Sequence, residues 1–303
     1  MKMIEDKLRE NRPNLSNNSV KTYVSILKNL YKKVYPNIPL DLDNFKNQDK
    51  FIKHLEDVDG SKRKTYLSAL VVICGNDCEK YSTLMNEDAV NYNQEQKKQK
   101  RTEKQTENWI EQDELQNIIS NLEVEANKIF KKGANWSMED LQIAQNYILL
   151  CLVSGKYIPV RRSLEWAEMK KNNFNQESNS LEMPKRKPWK FVMRRYKTQK
   201  FHGDQEVIIP PELKKILTKW LKLLNQVCPD AEYLLIDKHC NKLSSVKITQ
   251  RLNKIFGKNA SVNIIRHSFI TDKYKNMPSI EELQESADSH GHSIMEELEY
   301  IKR

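Results

Sequence analysis

Residues 93–108 (NQEQKKQKRTEKQTEN) form a run of sixteen residues without one apolar side chain. Such a stretch has nothing to contribute to a core, and its composition fits a solvated linker or a frayed helix. The chain on either side must therefore bury its own apolar surface. The expected organisation is a helical domain over residues 1–93, a polar linker over 94–108 and a second domain over 109–303. At 303 residues the chain is long enough for two cores.

Helical periodicity dominates the first part. In residues 14–35, Leu15, Val20, Tyr23, Ile26, Leu27, Leu30, Tyr31 and Val34 recur at helical spacing, with Ser16 or Asn18 available as N-cap. Residues 44–55 and 61–73 read as two further helices separated by Asp59-Gly60, with Ser61 as the second N-cap. Beyond Trp109, residues 111–122 and 138–153 read as helices. A strand-rich stretch follows at 180–182, 189–196 and 205–209, with a turn at His202-Gly203-Asp204. Pro210-Pro211 opens a helix over 212–227, and residues 245–256, 262–274 and 278–287 complete the helical set. The expected class is α+β, mostly helical, with one small antiparallel sheet.

Several function classes fall away on composition. The longest apolar stretch, near residues 147–153, is far short of the ~20 residues a membrane helix needs, so no membrane partner is expected. The first residues, MKMIEDKLRENRPN, contain no apolar signal core. The five cysteines, Cys74, Cys78, Cys151, Cys228 and Cys240, are odd in number and irregular in spacing. A disulfide framework is not expected, and an intracellular, reducing compartment is. Cys74 and Cys78 have no second ligand pair and read as small semi-buried residues rather than a zinc site. Cys151, within YILLCLV, reads as core.

The net charge is +10 and unevenly distributed. Residues 185–200 (KRKPWKFVMRRYKTQK) contain eight basic residues and no acidic one, interleaved with Trp189, Phe191, Val192, Met193 and Tyr196. That alternation predicts a half-buried strand with one cationic face. A cationic face favours a polyanion, and nucleic acid is the commonest one.

Four scattered features remain, each weak alone: Arg161-Arg162 after YIPV, Lys197 in the basic stretch, Arg266-His267, and His292 followed by Tyr300. Their order raises the signal. Arg162-Ser163-Leu164-Glu165 fits R-x-x-E. Tyr196-Lys197-Thr198 supplies a hairpin K-T. Asn263 through Ser268 (NIIRHS) fits H-x-x-R-H-S/T in all but its first residue, and Gly291-His292-Ser293 fits G-H-S. In this succession the second part resembles the tyrosine recombinase (phage integrase) superfamily. The pieces I-P-V-R-R and Y-K-T-x-K-x-x-G-D-Q are most similar in style to integrases of large eukaryotic DNA viruses, virophages and related mobile elements.

The resemblance implies a core-binding domain followed by a catalytic domain, closing as a clamp on double-stranded DNA, with a homotetramer on DNA for full recombination. It implies that Arg162 and Arg266 hold the scissile phosphate, that Lys197 protonates the leaving 5′-oxygen, that His292 adds a hydrogen bond, and that Tyr300 is the nucleophile. The residue types suit that chemistry. Guanidiniums are permanently charged forks for non-bridging oxygens, and an alkoxide leaving group needs a general acid. A covalent 3′-phosphotyrosine conserves the phosphodiester bond energy, so no cofactor, ATP or metal is expected. Glu165 is expected to orient Arg162 or to buttress the fold, His267 to support the site, and Arg161 to be auxiliary. Asn263 departs from the pattern, since an amide cannot relay a proton at neutral pH. Lys185, Arg186, Lys187, Lys190, Arg194, Arg195 and Lys200 are the expected DNA contacts, mainly to phosphates. Rival readings are a recombinase-derived DNA-binding protein without activity and a type IB topoisomerase- or resolvase-like enzyme. The protein is expected where the DNA is: nucleus or viral factory for a eukaryotic virus, cytoplasm for a bacterium.

Overall fold

The structure, a computed structural model, describes residues 2–172, 177–290, 293–295 and 298. His292 and Tyr300 lie outside them. The chain divides into two compact units, one of Met1–Lys100 with Pro278–Arg303 and one of Arg101–Met277.

The first unit is helical. α1 (Lys2–Asn11) and α2 (Asn17–Val34) are followed by a 3-10 turn at Asp43–Lys46, then α3 (Gln48–His54), α4 (Gly60–Cys74) and α5 (Glu79–Lys97). Ser16 caps α2, its hydroxyl accepting from Ser19 N at 3.1 Å. Asp59, rather than the expected Ser61, caps α4 by accepting from Lys62 N. The core is built from Ile4, Leu8, Leu27, Leu67, Leu70 and Tyr81 around the stacked Phe45 and Phe51 rings. Cys74 and Cys78 are buried in it. The helix α5 is absent from the periodicity reading. It is fastened instead by a polar device: Arg63 on α4 grips the buried Asp88 carboxylate at 2.7 and 2.9 Å. Beyond α5 the apolar-free stretch holds a short helix α6 (Glu103–Glu107), closed by a Thr102–Gln105 capping box.

The second unit surrounds a helix that is apolar on nearly every side. α7 (Gln112–Lys131) and α8 (Met138–Val153) pair first, and α8 buries an unbroken run from Tyr147 to Val153. An all-round apolar helix belongs at the centre of a domain. α9 (Ser163–Ala167) leads to the sheet of β1 (Ser180–Glu182), β2 (Lys190–Met193) and β3 (Gln205–Ile208), with a short α10 (Gln199–His202) between β2 and β3. The sheet is antiparallel in the order β1-β2-β3, with Leu181 opposite Phe191 and Met193 opposite Gln205. α11 (Pro211–Val227), α12 (Ser245–Phe256) and α13 (Val262–Lys273) close the core. α14 (Ile280–His290) belongs to the first unit, where Ile280 N donates to the Gln99 side chain. The molecule is thus mostly helical with one small antiparallel sheet.

Two expectations are corrected. The strand predicted over 189–196 stops at Met193, and it buries three consecutive residues instead of alternating. The cationic strand face is therefore absent, and most of the basic residues sit in the connections on either side. Cys228 and Cys240 form a disulfide with Cα atoms 5.9 Å apart, made possible by a turn in which Cys240 takes φ 60°. An odd count and irregular spacing hid a single pair joined across a short loop.

Candidate active site

The chain leaves α8 through Gly155, whose φ of +87° is in the left-handed region. A Cβ there would run into the Phe269 ring of α13, so glycine allows this loop and α13 to meet. The loop ends at Arg162, which is the N-cap position of α9 and accepts from Glu165 N through its carbonyl. Glu165 is 2% exposed. Beside it, the buried Trp166 meets Phe191 of β2 edge-on at 5.2 Å, which seats α9 on the sheet.

Three guanidiniums bear on the Glu165 carboxyl: those of Arg161, Arg162 and Arg266. Burial pushes its pKa up, and the three positive charges oppose that shift without cancelling it. The two adjacent arginines differ in use. Arg161 lies 3.9 Å from Glu165 through Nε and donates from Nη1 to Gln205 Oε1 at 2.5 Å, bridging α9 to the start of β3. The Arg162 guanidinium has no hydrogen-bond partner among the described residues.

Arg266 comes from α13, about a hundred residues further along. That helix is capped by Ser261, whose hydroxyl accepts from Ile264 N. It is anchored by Ser268, which donates to Ile110 O and accepts from Gln112 Nε2. Arg266 is half-buried and, like Arg162, has no hydrogen-bond partner among the described residues. Its neighbours Asn263 and His267 are exposed.

Lys197 lies in the turn after β2, exposed and without an ion-pair partner among the described residues. The segment is closed on itself by Tyr196, whose hydroxyl donates to Gly203 O at 2.6 Å. Lys200 stands 4.9 Å from the ring of Phe201, a side chain 73% exposed.

The basic run separates into two sets. Lys185, Arg186 and Lys187 are exposed in the β1–β2 connection. Arg195 is exposed too, with Nε donating to Glu177 O. Lys190 and Arg194 are engaged internally. Lys190 pairs with Glu206 at 2.5 Å and Glu182 at 3.6 Å. Arg194 pairs with Glu182 at 3.2 Å and Asp204 at 3.5 Å, and also bonds Ser178 O and Ser180 Oγ.

Two further residues hold these parts in place: Gln205, the last residue of the Y-K-T-x-K-x-x-G-D-Q piece but given no role there, and Asn179, a polar residue just before β1 that neither periodicity nor motif marks. Among the described residues no cluster of three His, Cys, Asp or Glu side chains is placed to hold a metal ion, and no helix is long and apolar enough to cross a membrane.

No family model matches the chain, and no curated protein does. Among solved structures it is similar to XerA recombinase at 15% identity and a TM-score of 0.37, covering 93% of this chain and 87% of that one. It is also similar to XerH site-specific recombinase in a pre-cleavage complex with its difH substrate, at 15% identity and a TM-score of 0.41, covering 90% and 85%. A post-cleavage complex of XerH with a palindromic difH substrate gives 16% and 0.41, covering 90% and 84%. Likeness at this level decides neither fold nor activity.

Proposed function

We propose that this protein is a site-specific DNA recombinase or integrase that cuts and rejoins strands through a 3′-phosphotyrosine, without metal or ATP. One observation carries the reading. Arg162 and Arg266, distant in sequence, both bring their charge to bear on the buried Glu165 carboxyl, while neither guanidinium has a hydrogen-bond partner among the described residues. Two half-buried permanent cations whose N–H groups are not spent on other side chains suit an anion, and a phosphodiester offers two non-bridging oxygens to accept from them. The same arrangement supports Arg162 over Arg161 as the phosphate ligand, because Arg161 is held by Gln205 and Glu165.

In this reading Tyr300 Oη attacks phosphorus, Lys197 gives its proton to the departing 5′-oxygen, and His292 donates to the phosphate. A 5′-hydroxyl from a partner strand reverses the step and joins new ends. Residues 109–303 are read as the catalytic domain, the stretch from Pro278 grouping with the first compact unit, residues 1–93 as the DNA-gripping domain and 94–108 as the linker. A homotetramer on two duplexes supplies four active sites, and the protein serves a viral or other mobile element. Phosphates are contacted by the exposed Lys185, Arg186, Lys187, Arg195 and Lys200.

The test is a nicked suicide duplex carrying candidate element ends, incubated without metal with wild-type protein and with Tyr300→Phe, then run on a denaturing gel. A covalent protein–DNA band present only with wild type is expected. Binding without a covalent band on verified sites would replace this reading with that of a DNA-binding protein without strand transfer.

A further inference from the structure

We propose that Asn179 is a positioning residue: it fixes the backbone that delivers Lys197 against the helix that begins at Arg162. The inference rests on reading Lys197 as proton donor to the leaving oxygen. Asn179 is 0% exposed, and its carboxamide makes four hydrogen bonds. Nδ2 donates to Glu165 O at 3.1 Å and to Arg195 O at 3.0 Å. Oδ1 accepts from Arg194 N at 2.8 Å and from Arg195 N at 2.6 Å. Both N–H donors and both lone pairs are used, so the buried amide is fully satisfied.

The partners are all main chain, and they belong to the two segments the reaction must align. Glu165 is on α9, three residues after Arg162, and Arg195 is two residues before Lys197. Asn179 also explains why β2 ends at Met193: the next two N–H groups bond its side chain instead of a strand. Its own carbonyl accepts from Lys170 N at 2.9 Å, so the frame does not float. Beyond Arg195, the Tyr196–Gly203 hydrogen bond closes the segment on itself. The exposed Lys197 side chain has no partner of its own among the described residues to hold it. Its location is therefore set by backbone, and that backbone is set by Asn179. A carboxamide presents two N–H donors and two acceptor lone pairs together, which is what this mixed set of partners takes up.

The experiment compares two leaving groups in the full-length chain. In the ordinary step Tyr300 releases its hydroxyl proton to solvent as its Oη–phosphorus bond forms, the phosphorus–O5′ bond breaks, and O5′ takes the Lys197 proton. With a bridging 5′-phosphorothiolate the phosphorus–sulfur bond breaks, and sulfur leaves as a thiolate. A thiol of pKa about 8.5 needs no proton donor to leave. Asn179→Ala and Asn179→Ser are assayed on both nicked duplexes beside Lys197→Ala and Arg162→Ala.

The Asn179 variants and Lys197→Ala alike are expected to lose about 10²-fold on the oxygen substrate, and to recover most of it on the sulfur substrate. The Asn179→Ala/Lys197→Ala double variant should be no slower than Lys197→Ala. Equal losses on both substrates, the pattern expected of Arg162→Ala, would overturn the proposal, as would unchanged cleavage of both. Failure of both Asn179→Ala and Asn179→Ser to fold, by circular dichroism, would also overturn it, since the residue would then serve the whole unit. If wild type cuts neither substrate, the recombinase reading falls and the positioning claim is decided by amide hydrogen exchange on the DNA-free protein. Faster exchange confined to residues 194–203 in Asn179→Ser upholds it, and unchanged exchange there overturns it.

Discussion

The adjacent Arg161 and Arg162 side chains part company at the Glu165 carboxyl: one is tied to Gln205 and Glu165, the other ends without a hydrogen bond among the described residues. Substituting them should therefore have different consequences. Arg162→Ala should lower covalent-complex formation by about 10²–10³-fold, the range for removing one charge-stabilising donor, and leave the thermal midpoint nearly unchanged. Arg161→Ala should mainly lower the midpoint, because it strips a buried carboxylate of its nearest counter-charge. Thermal melts and gel assays on the same preparations separate the two effects. Glu165 itself carries a pH signature. Burial raises its folded-state pKa, so the fold binds its proton more tightly than the unfolded chain does. Stability from this group is complete below the ordinary carboxylate pKa and is lost as pH rises through the raised value. The stability of Glu165→Gln relative to wild type should accordingly increase from acidic to neutral pH, read from urea melts at a series of pH values.

At the scale of elements, the loop from α8 to α9 and the helix α13 are held in register by Gly155 beneath Phe269. Gly155→Ala combines a left-handed φ with a clash against a ring and should destabilise by about 1–3 kcal/mol. It should weaken strand cleavage as well, since Phe269 is on the Arg266 helix. Chemical denaturation beside the cleavage assay tests both.

Several elements were legible from periodicity alone. α8 and α12 lie at the predicted bounds, because a dense apolar pattern and a serine N-cap coincide at each. α5 was not legible, since its outer half has few apolar residues and its attachment is the Arg63–Asp88 ion pair, a pairing of residues far apart in sequence. β2 was overextended because basic and aromatic residues continue to Tyr196 while the ladder is ended by a side chain from another segment. At the proposed site, the order of residue types is what nominates Arg162, Lys197 and Arg266. Asn179 could not be read, and Gln205 was read only as the end of a motif piece, because their roles are hydrogen bonds to distant segments.

For the molecule as a whole, charge governs how it meets a polyanion. Lys185, Arg186 and Lys187 are exposed, whereas Lys190 and Arg194 are paired with carboxylates. On duplex DNA, removing the first three should flatten the dependence of log affinity on log salt by roughly 0.9 for each phosphate no longer neutralised. Changing Lys190 or Arg194 to Ala should leave that slope nearly as it was and lower the melting temperature instead. Binding isotherms across a salt series decide it.

The spacing of the two uncommitted guanidiniums also bears on synthesis. The fully buried cluster of the first core uses residues no later than Tyr81, so a nascent chain can bury it early. Arg162 and Arg266 are about a hundred residues apart, which at roughly 5–20 residues per second puts on the order of 5–20 s between them. A ribosome that stalls or releases its product in that interval leaves a chain with one arm of the anion site and not the other. The pair exists only once nearly the whole second unit has been translated.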